Sequence, residues 1–170
     1  MLHTVTGDTL LSKAQAIAHG VGPEDHFTQG LALGLREQWP AMSRDFRHWC
    51  HQTNPKPGSA WMWGGVGNQR IFCLVTQDAS KNHDHPGRAT IENVNHCLRE
   101  LSHLIEKEKI TSLAIPRLAT GVGGLEWAEV EKQIKHHLGA LKIPVYVYAT
   151  YKKGVVAEET GLPPAQKSAR

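Results

Sequence analysis

The feature that most limits the fold is the way helical and strand periodicity alternate along the second half of the chain. ATIENVNHCLRELSHLIEKEK sets Ile91, Val94, Leu98, Leu101, Leu104 and Ile105 along one helical face. SLAIP follows as a buried strand, WAEVEKQIKHHLGAL as a helix with Val130, Ile134 and Leu138 four residues apart, and PVYVYATY as a last strand. Gly139 is the expected stop of that second helix.

The first half supplies the same parts. A short strand from Val5 ends at Gly7-Asp8, and AQAIAHGV is a buried strand. LALGLREQW reads as a helix that Pro40 ends, and AMSRDFRHWCHQ continues as a second one. SAWMWGG and QRIFCLVT flank a glycine-rich turn and predict a hairpin. This order implies an α/β domain of three layers, α/β/α, around a mostly parallel, mixed sheet. At 170 residues one core suffices, so residues 1–151 are expected to be the domain and 152–170 a disordered tail with little to bury.

Three cysteines, Cys50, Cys73 and Cys97, form no disulfide framework and predict a reducing, cytoplasmic setting. The start has no basic segment leading into an apolar run, and no stretch approaches the roughly 18 apolar residues of a membrane span, so no membrane partner is expected. A formal charge of +3 is too small for a dedicated nucleic-acid binder, but it suits a basic cleft for one phosphorylated ligand. His83 and His85 come nearest to a metal pair and read as a solvated loop; neither metal nor cofactor is expected.

Ligands of such sheets bind beyond the carboxyl ends of the strands. Loops at residues 19–30, 76–88 and 117–125 fall there, with Asp8 at the first strand's end. The loop RLATGVGGLEW carries Gly121, Gly123 and Gly124, small enough for backbone N–H groups to approach an anion, with a helix dipole behind. It lacks the Gly-Lys-Ser/Thr of a Walker loop and the spacing of a dinucleotide fingerprint, and a tight strand-to-helix turn explains it equally well. Thr28-Gln29-Gly30-Leu31-Ala32 is a second candidate anion cradle. Asp8 can accept from an exocyclic amine or cap the short turn after it. Trp61 and Trp63 share one face of their strand, with at least one expected in the core, and Glu126 is expected to cap the last helix.

Together TGD, AIAHGV, GLALGL, PRLATGVGGLEW and IPVYVY resemble a macro domain, over about residues 3–150. AHG in place of a NAAN-like sequence, and the GLEW ending, resemble the branch with terminal ADP-ribose protein glycohydrolase and the antitoxin macro domains that strip ADP-ribose from DNA bases. The resemblance implies a six-stranded mixed sheet and a cleft for ADP-ribose. Asp8, with Thr9 beside it, would hold the adenine amine, and Tyr148 would lie by the adenine. Thr28, Gln29, Gly30, Leu31 and Ala32 would wrap the diphosphate and distal ribose together with Ala119, Thr120, Gly121, Val122, Gly123 and Gly124.

Three catalytic devices of such proteins are replaced. The lysine after the LVT strand is Gln77, the aspartate of the last glycine loop is Gly123, and the acid after the second loop's glycine is Ala32; the preceding strand's asparagine is His19. Glutamine has no amine with which to form a Schiff base. Candidate substitutes are Asp25 with His19 or His26 as general base, and Lys81 swinging toward the ribose. Each has a plain structural alternative as turn acid, buried hydrogen-bonded histidine or solvated lysine. Asp78 is expected to point away. The implied functions are a monomeric binding module for ADP-ribose, free or on protein or nucleic acid; a hydrolase that removes it; or, outside the family, another α/β nucleotide-binding protein.

Overall fold

A computed structural model describes residues 1–80 and 87–163. Lys81, His83 and His85, like the tail beyond 163, lie outside the described residues. The strands are β1 (Leu2–Gly7), β2 (Ala16–Val21), β3 (Ala60–Gly64), β4 (Arg70–Val75), β5 (Leu113–Pro116) and β6 (Val145–Tyr151). The helices are α1 (Gly30–Gln38), α2 (Pro40–Thr53), α3 (Ile91–Lys107) and α4 (Trp127–Leu138), with a 3₁₀ turn at Thr9–Leu11. The strands form one six-stranded sheet in the order β1-β6-β5-β2-β4-β3, parallel except for the β3–β4 hairpin.

Strand alternation divides the core in two. Ala16 and Ala18 of β2, Phe72 and Leu74 of β4, and Val145 and Val147 of β6 face α3 and α4. Ile17, Val21, Ile71, Cys73, Tyr146 and Tyr148 face α1 and α2. Both faces of the central strands are therefore apolar, as a sheet covered on both sides requires. Each fully buried Leu, Ile or Phe side chain contributes about 1.5–3 kcal/mol. Trp63 is buried, and its Nε1 donates to Asp45 Oδ2 at 2.8 Å; Trp61 is half-buried and stacks on Trp49. All three cysteines are buried free thiols. No helix among the described residues is long and apolar enough to cross a membrane.

Gly139 stops α4 as expected, with a right-handed φ of −65°, so its freedom for left-handed backbone is unused. Glu126 occupies the N-cap position of α4, but its side chain makes no capping bond. Residues 152–163 are mostly exposed but are tied to the domain at several points. Glu159 accepts from Ser12 Oγ at 2.5 Å, Lys13 N at 2.8 Å and Tyr148 Oη at 2.9 Å, and Ala157 and Leu162 pack on the α1/α2 core. Polar anchors hold this segment, so its low hydrophobicity misleads a reading based on burial alone.

Candidate functional site

The carboxyl ends of β2, β4 and β5 open into a cleft of about 860 Å³. The 22–27 loop, the start of α1, the 76–80 segment and the glycine loop line it. Of the expected ligand contacts, Thr28, Gln29, Leu31, Ala32, Ala119, Gly121, Val122 and Gly123 are on its wall. Gly30, Thr120 and Gly124 belong to the same two loops but not to the wall.

Two of its walls are built to present backbone donors. α1 starts at Gln29 without a side-chain cap, so its first-turn N–H groups look for partners outside the helix. In the glycine loop, Gly124 N and Leu125 N donate back to Gly121 O and Ala119 O, at 3.0 Å each. Among the described residues the N–H groups of Gly121, Val122 and Gly123 donate to no carbonyl. That turn needs Gly123, because a Cβ there would lie 2.6 Å from Ala119 O, and Gly124, whose φ is +76°. Ala119 is itself left-handed, with φ 61°, an uncommon state for a residue with a Cβ.

The opposite rim shows the same kind of constraint. Glu24 and Phe27 both have positive φ, 57° and 53°. Asp25 between them closes the loop, accepting from Gly22 N on Oδ2 at 3.0 Å and from Phe27 N on Oδ1 at 2.8 Å. Its carboxylate is held at the cleft wall by its own backbone.

His19 lies at the floor, 2% exposed, with Nε2 3.2 Å from Cys73 Sγ and its ring tilted against Phe27. Burial lowers its pKa to about 4, against a smaller opposing effect of the Asp25 charge, so the ring is neutral near pH 7. Its Nδ1 has no partner among the described residues. Thr76 Oγ1, buried on the other side of β2, has none either. Thr76 carried no signal of its own in the sequence; its place becomes visible only beside Gly20, where an added Cβ would sit 2.9 Å from that hydroxyl.

Gln77 and Asp78 also line the cleft. The Asp78 carboxylate is turned to α3, where Asn93 Nδ2 donates to Oδ1 at 3.1 Å, and an isolated bridge joins Gln77 to Ala89. Arg117, on the wall beside the glycine loop, donates from Nε to Ala149 O and stands over the Trp127 ring at 5.3 Å.

The residues assigned to the adenine stand apart. Asp8, Thr9 and Tyr148 are not on the cleft wall. Asp8 Oδ1 accepts from Leu10 N at 3.1 Å, as the cap of the 3₁₀ turn, and Oδ2 accepts from Gly154 N at 3.0 Å. Thr9 is 4% exposed. Tyr148 is 3% exposed within the α1/α2 core, its hydroxyl bound to Glu159.

Among known proteins, a DNA ADP-ribosyl glycohydrolase of Thermus aquaticus is 30% identical over 87% of this chain and 41% of its own length. A DNA ADP-ribosyl transferase-DNA ADP-ribosyl glycohydrolase fusion protein of Thermosipho africanus is 27% identical over 91% of this chain and 43% of its own. The chain thus spans about two fifths of these relatives. The solved macrodomain of Thermus aquaticus DarG superposes with a TM-score of 0.76 at 27% identity, covering 88% of this chain and 98% of that one. Thermosipho africanus DarTG in complex with ADP-ribose superposes with a TM-score of 0.76 at 26% identity, over 89% of this chain and 42% of that one. The macro domain pattern matches residues 26–134, which hold the start of α1, the segment after β4 and the whole glycine loop, and the chain belongs to the macro domain family.

Proposed function

We propose that the cleft binds ADP-ribose, free or joined to a macromolecule. The observation that carries this reading is the pair of backbone-donor walls, the uncapped start of α1 and the glycine loop, on one cleft. In this reading Thr28 to Ala32 and Ala119 to Gly124 wrap the diphosphate and distal ribose. Asp8 takes the adenine amine with the second lone pairs of oxygens that already accept backbone bonds, beside Thr9 and Tyr148. The relative solved with ADP-ribose supports the choice of ligand. The three free thiols support a reducing compartment, the cytoplasm, and the protein is proposed to act as a monomer.

A second reading is removal of ADP-ribose from a nucleobase or protein, and two observations favour it. The curated relatives are DNA ADP-ribosyl glycohydrolases, and Asp25 and His19 share the cleft. With Gln77 in the lysine's place, such a reaction would run through water, activated by Asp25 or by the neutral ring of His19, rather than through a Schiff base.

Titration calorimetry with ADP-ribose, AMP and NAD tests the first reading. Binding of ADP-ribose that AMP does not reproduce is the expected result, and no heat with any of the three would end it. Release of ADP-ribose from a modified oligonucleotide and a modified protein tests the second. Loss of release in Asp25→Ala with ADP-ribose binding retained would place the base there; no release by the unaltered protein would leave a binding module.

A further inference from the structure

Asp8 is covered by the chain's own backbone. Gly154 N donates to Asp8 Oδ2 at 3.0 Å, and Asp8 N donates to Val155 O at 2.8 Å. A third bond, from Lys152 N to Gly7 O at 3.0 Å, lays the segment after β6 along the end of β1. The fit is close, since a Cβ on Gly7 would lie 2.8 Å from Val155 O. Gly154 and Val155 thus present one donor and one acceptor to Asp8, side by side. Adenine carries the same pair, an exocyclic amine that donates beside a ring nitrogen that accepts. The cleft wall stops short of Asp8, where these backbone groups stand.

The segment is held unevenly. Residues 152–156 are exposed, Val155 and Val156 included, so they bury little apolar surface over Asp8. The anchors lie further on. Ala157 and Leu162 pack on the α1/α2 core, Glu159 accepts from Ser12, Lys13 and Tyr148, and Tyr146 Oη donates to Thr160 O at 2.7 Å. A stretch held by a few exposed backbone bonds, between a strand end and firm anchors, opens at low cost. While it is down, an adenine amine reaches only the second lone pairs of the Asp8 oxygens, and the Asp8 N–H is already spent. Once it lifts, Oδ2 and the N–H face the base unshared, and Leu10 N still holds Oδ1 in place.

We propose that residues 152–156 form a strap that stands in for adenine on Asp8, lowers the affinity for adenine-bearing ligands and is displaced when one binds. The inference rests on the ADP-ribose reading for the base at Asp8. The fraction of molecules with the strap down sets the loss of apparent affinity, and a ligand lifts the strap only by its preference for the open form. Hypoxanthine, which puts a carbonyl oxygen and a ring N–H where adenine has its amine and ring nitrogen, has no such preference.

The test compares the unaltered protein with Gly154→Ala. Gly154 has a φ of +75°, where alanine is strained, and a Cβ there meets nothing within 4 Å. The change therefore loosens the strap without touching the cleft wall. By titration calorimetry the variant should bind ADP-ribose at least about fivefold more tightly, with no gain for the hypoxanthine counterpart of ADP-ribose. In the unaltered protein, NMR should show the Gly154 N–H exchanging with solvent faster once ADP-ribose is added. ADP-ribose bound alike by the two proteins, or a Gly154 N–H that exchanges more slowly with ligand present, would overturn the strap and leave the ADP-ribose reading intact. AMP bound as tightly as ADP-ribose, and both more tightly by the variant, would support the strap and overturn the ADP-ribose reading. No heat from either ligand with either protein would overturn both.

Discussion

His19 and Cys73 lie side by side on neighbouring strands, paired in register, with Nε2 and Sγ 3.2 Å apart. The contact ties one edge of the imidazole to β4. The other edge carries Nδ1, unpartnered among the described residues, at the floor of the cleft. A buried polar atom without a partner costs about 1–3 kcal/mol, so a ligand hydroxyl at that point would be bound by a group already desolvated and oriented.

The burial of that ring predicts a pH response. In the folded protein its pKa is about 4, against 6.5 for the free side chain. Between those values the unfolded chain takes up a proton that the folded chain does not, so stability falls as pH falls through that window. At 1.36 kcal/mol per unit the loss from pH 7 to pH 4 is about 3 kcal/mol. Denaturant titrations at both pH values should show a smaller loss in His19→Gln than in the unaltered protein. A ring that titrates near 6.5 by NMR would contradict the assignment.

Gly121 and Gly123 should separate binding from folding. A Cβ at Gly121 meets nothing within 4 Å, so Gly121→Ala should melt like the unaltered protein while ADP-ribose binding weakens, because the methyl occupies the cleft wall. A Cβ at Gly123 would lie 2.6 Å from Ala119 O and 2.9 Å from Ala89 Cβ. Gly123→Ala should therefore lower both melting temperature and affinity. Calorimetry and thermal melts on the two variants decide the matter, and identical behaviour would refute the account of the loop.

Gly20 makes room for Thr76. Its Cβ would sit 2.9 Å from Thr76 Oγ1, on a residue with no exposed surface. Gly20→Ala should destabilise by about 1–3 kcal/mol, the usual cost of overpacking, and Gly20→Ala/Thr76→Ala should recover part of it. Denaturant midpoints give both values, and simple additivity would mean that the two sites do not interact.

Glu159 should anchor the segment after β6. It accepts from Ser12, Lys13 and Tyr148, two of these bonds spanning 146 and 147 residues. Glu159→Ala should cost about 1–3 kcal/mol and Tyr148→Phe less, since it removes one bond of the three. Limited proteolysis should cut within residues 152–163 faster in Glu159→Ala. An unchanged melting temperature would show that the segment adds nothing to the fold.

Much of the architecture was legible in the sequence. Helical spacing marked α3 and α4, the run Ala16 to Val21 marked a strand buried on both faces, and the glycines marked a loop at a strand end, because each signal is local and records which face of an element meets the core. Tertiary structure alone decided the strand order, which sets β6 between β1 and β5, and the placing of Asp8, whose oxygens accept from residues 10 and 154. It decided as well that Glu159 holds the segment a composition reading leaves loose, that Asp25 is tied by its own loop, and that one nitrogen of His19 is paired while the other is not. These outcomes depend on partners up to 147 residues apart, which no local periodicity records. A buried donor or acceptor is satisfied by whatever the closed fold brings within about 3 Å, and that is known only after the chain has closed.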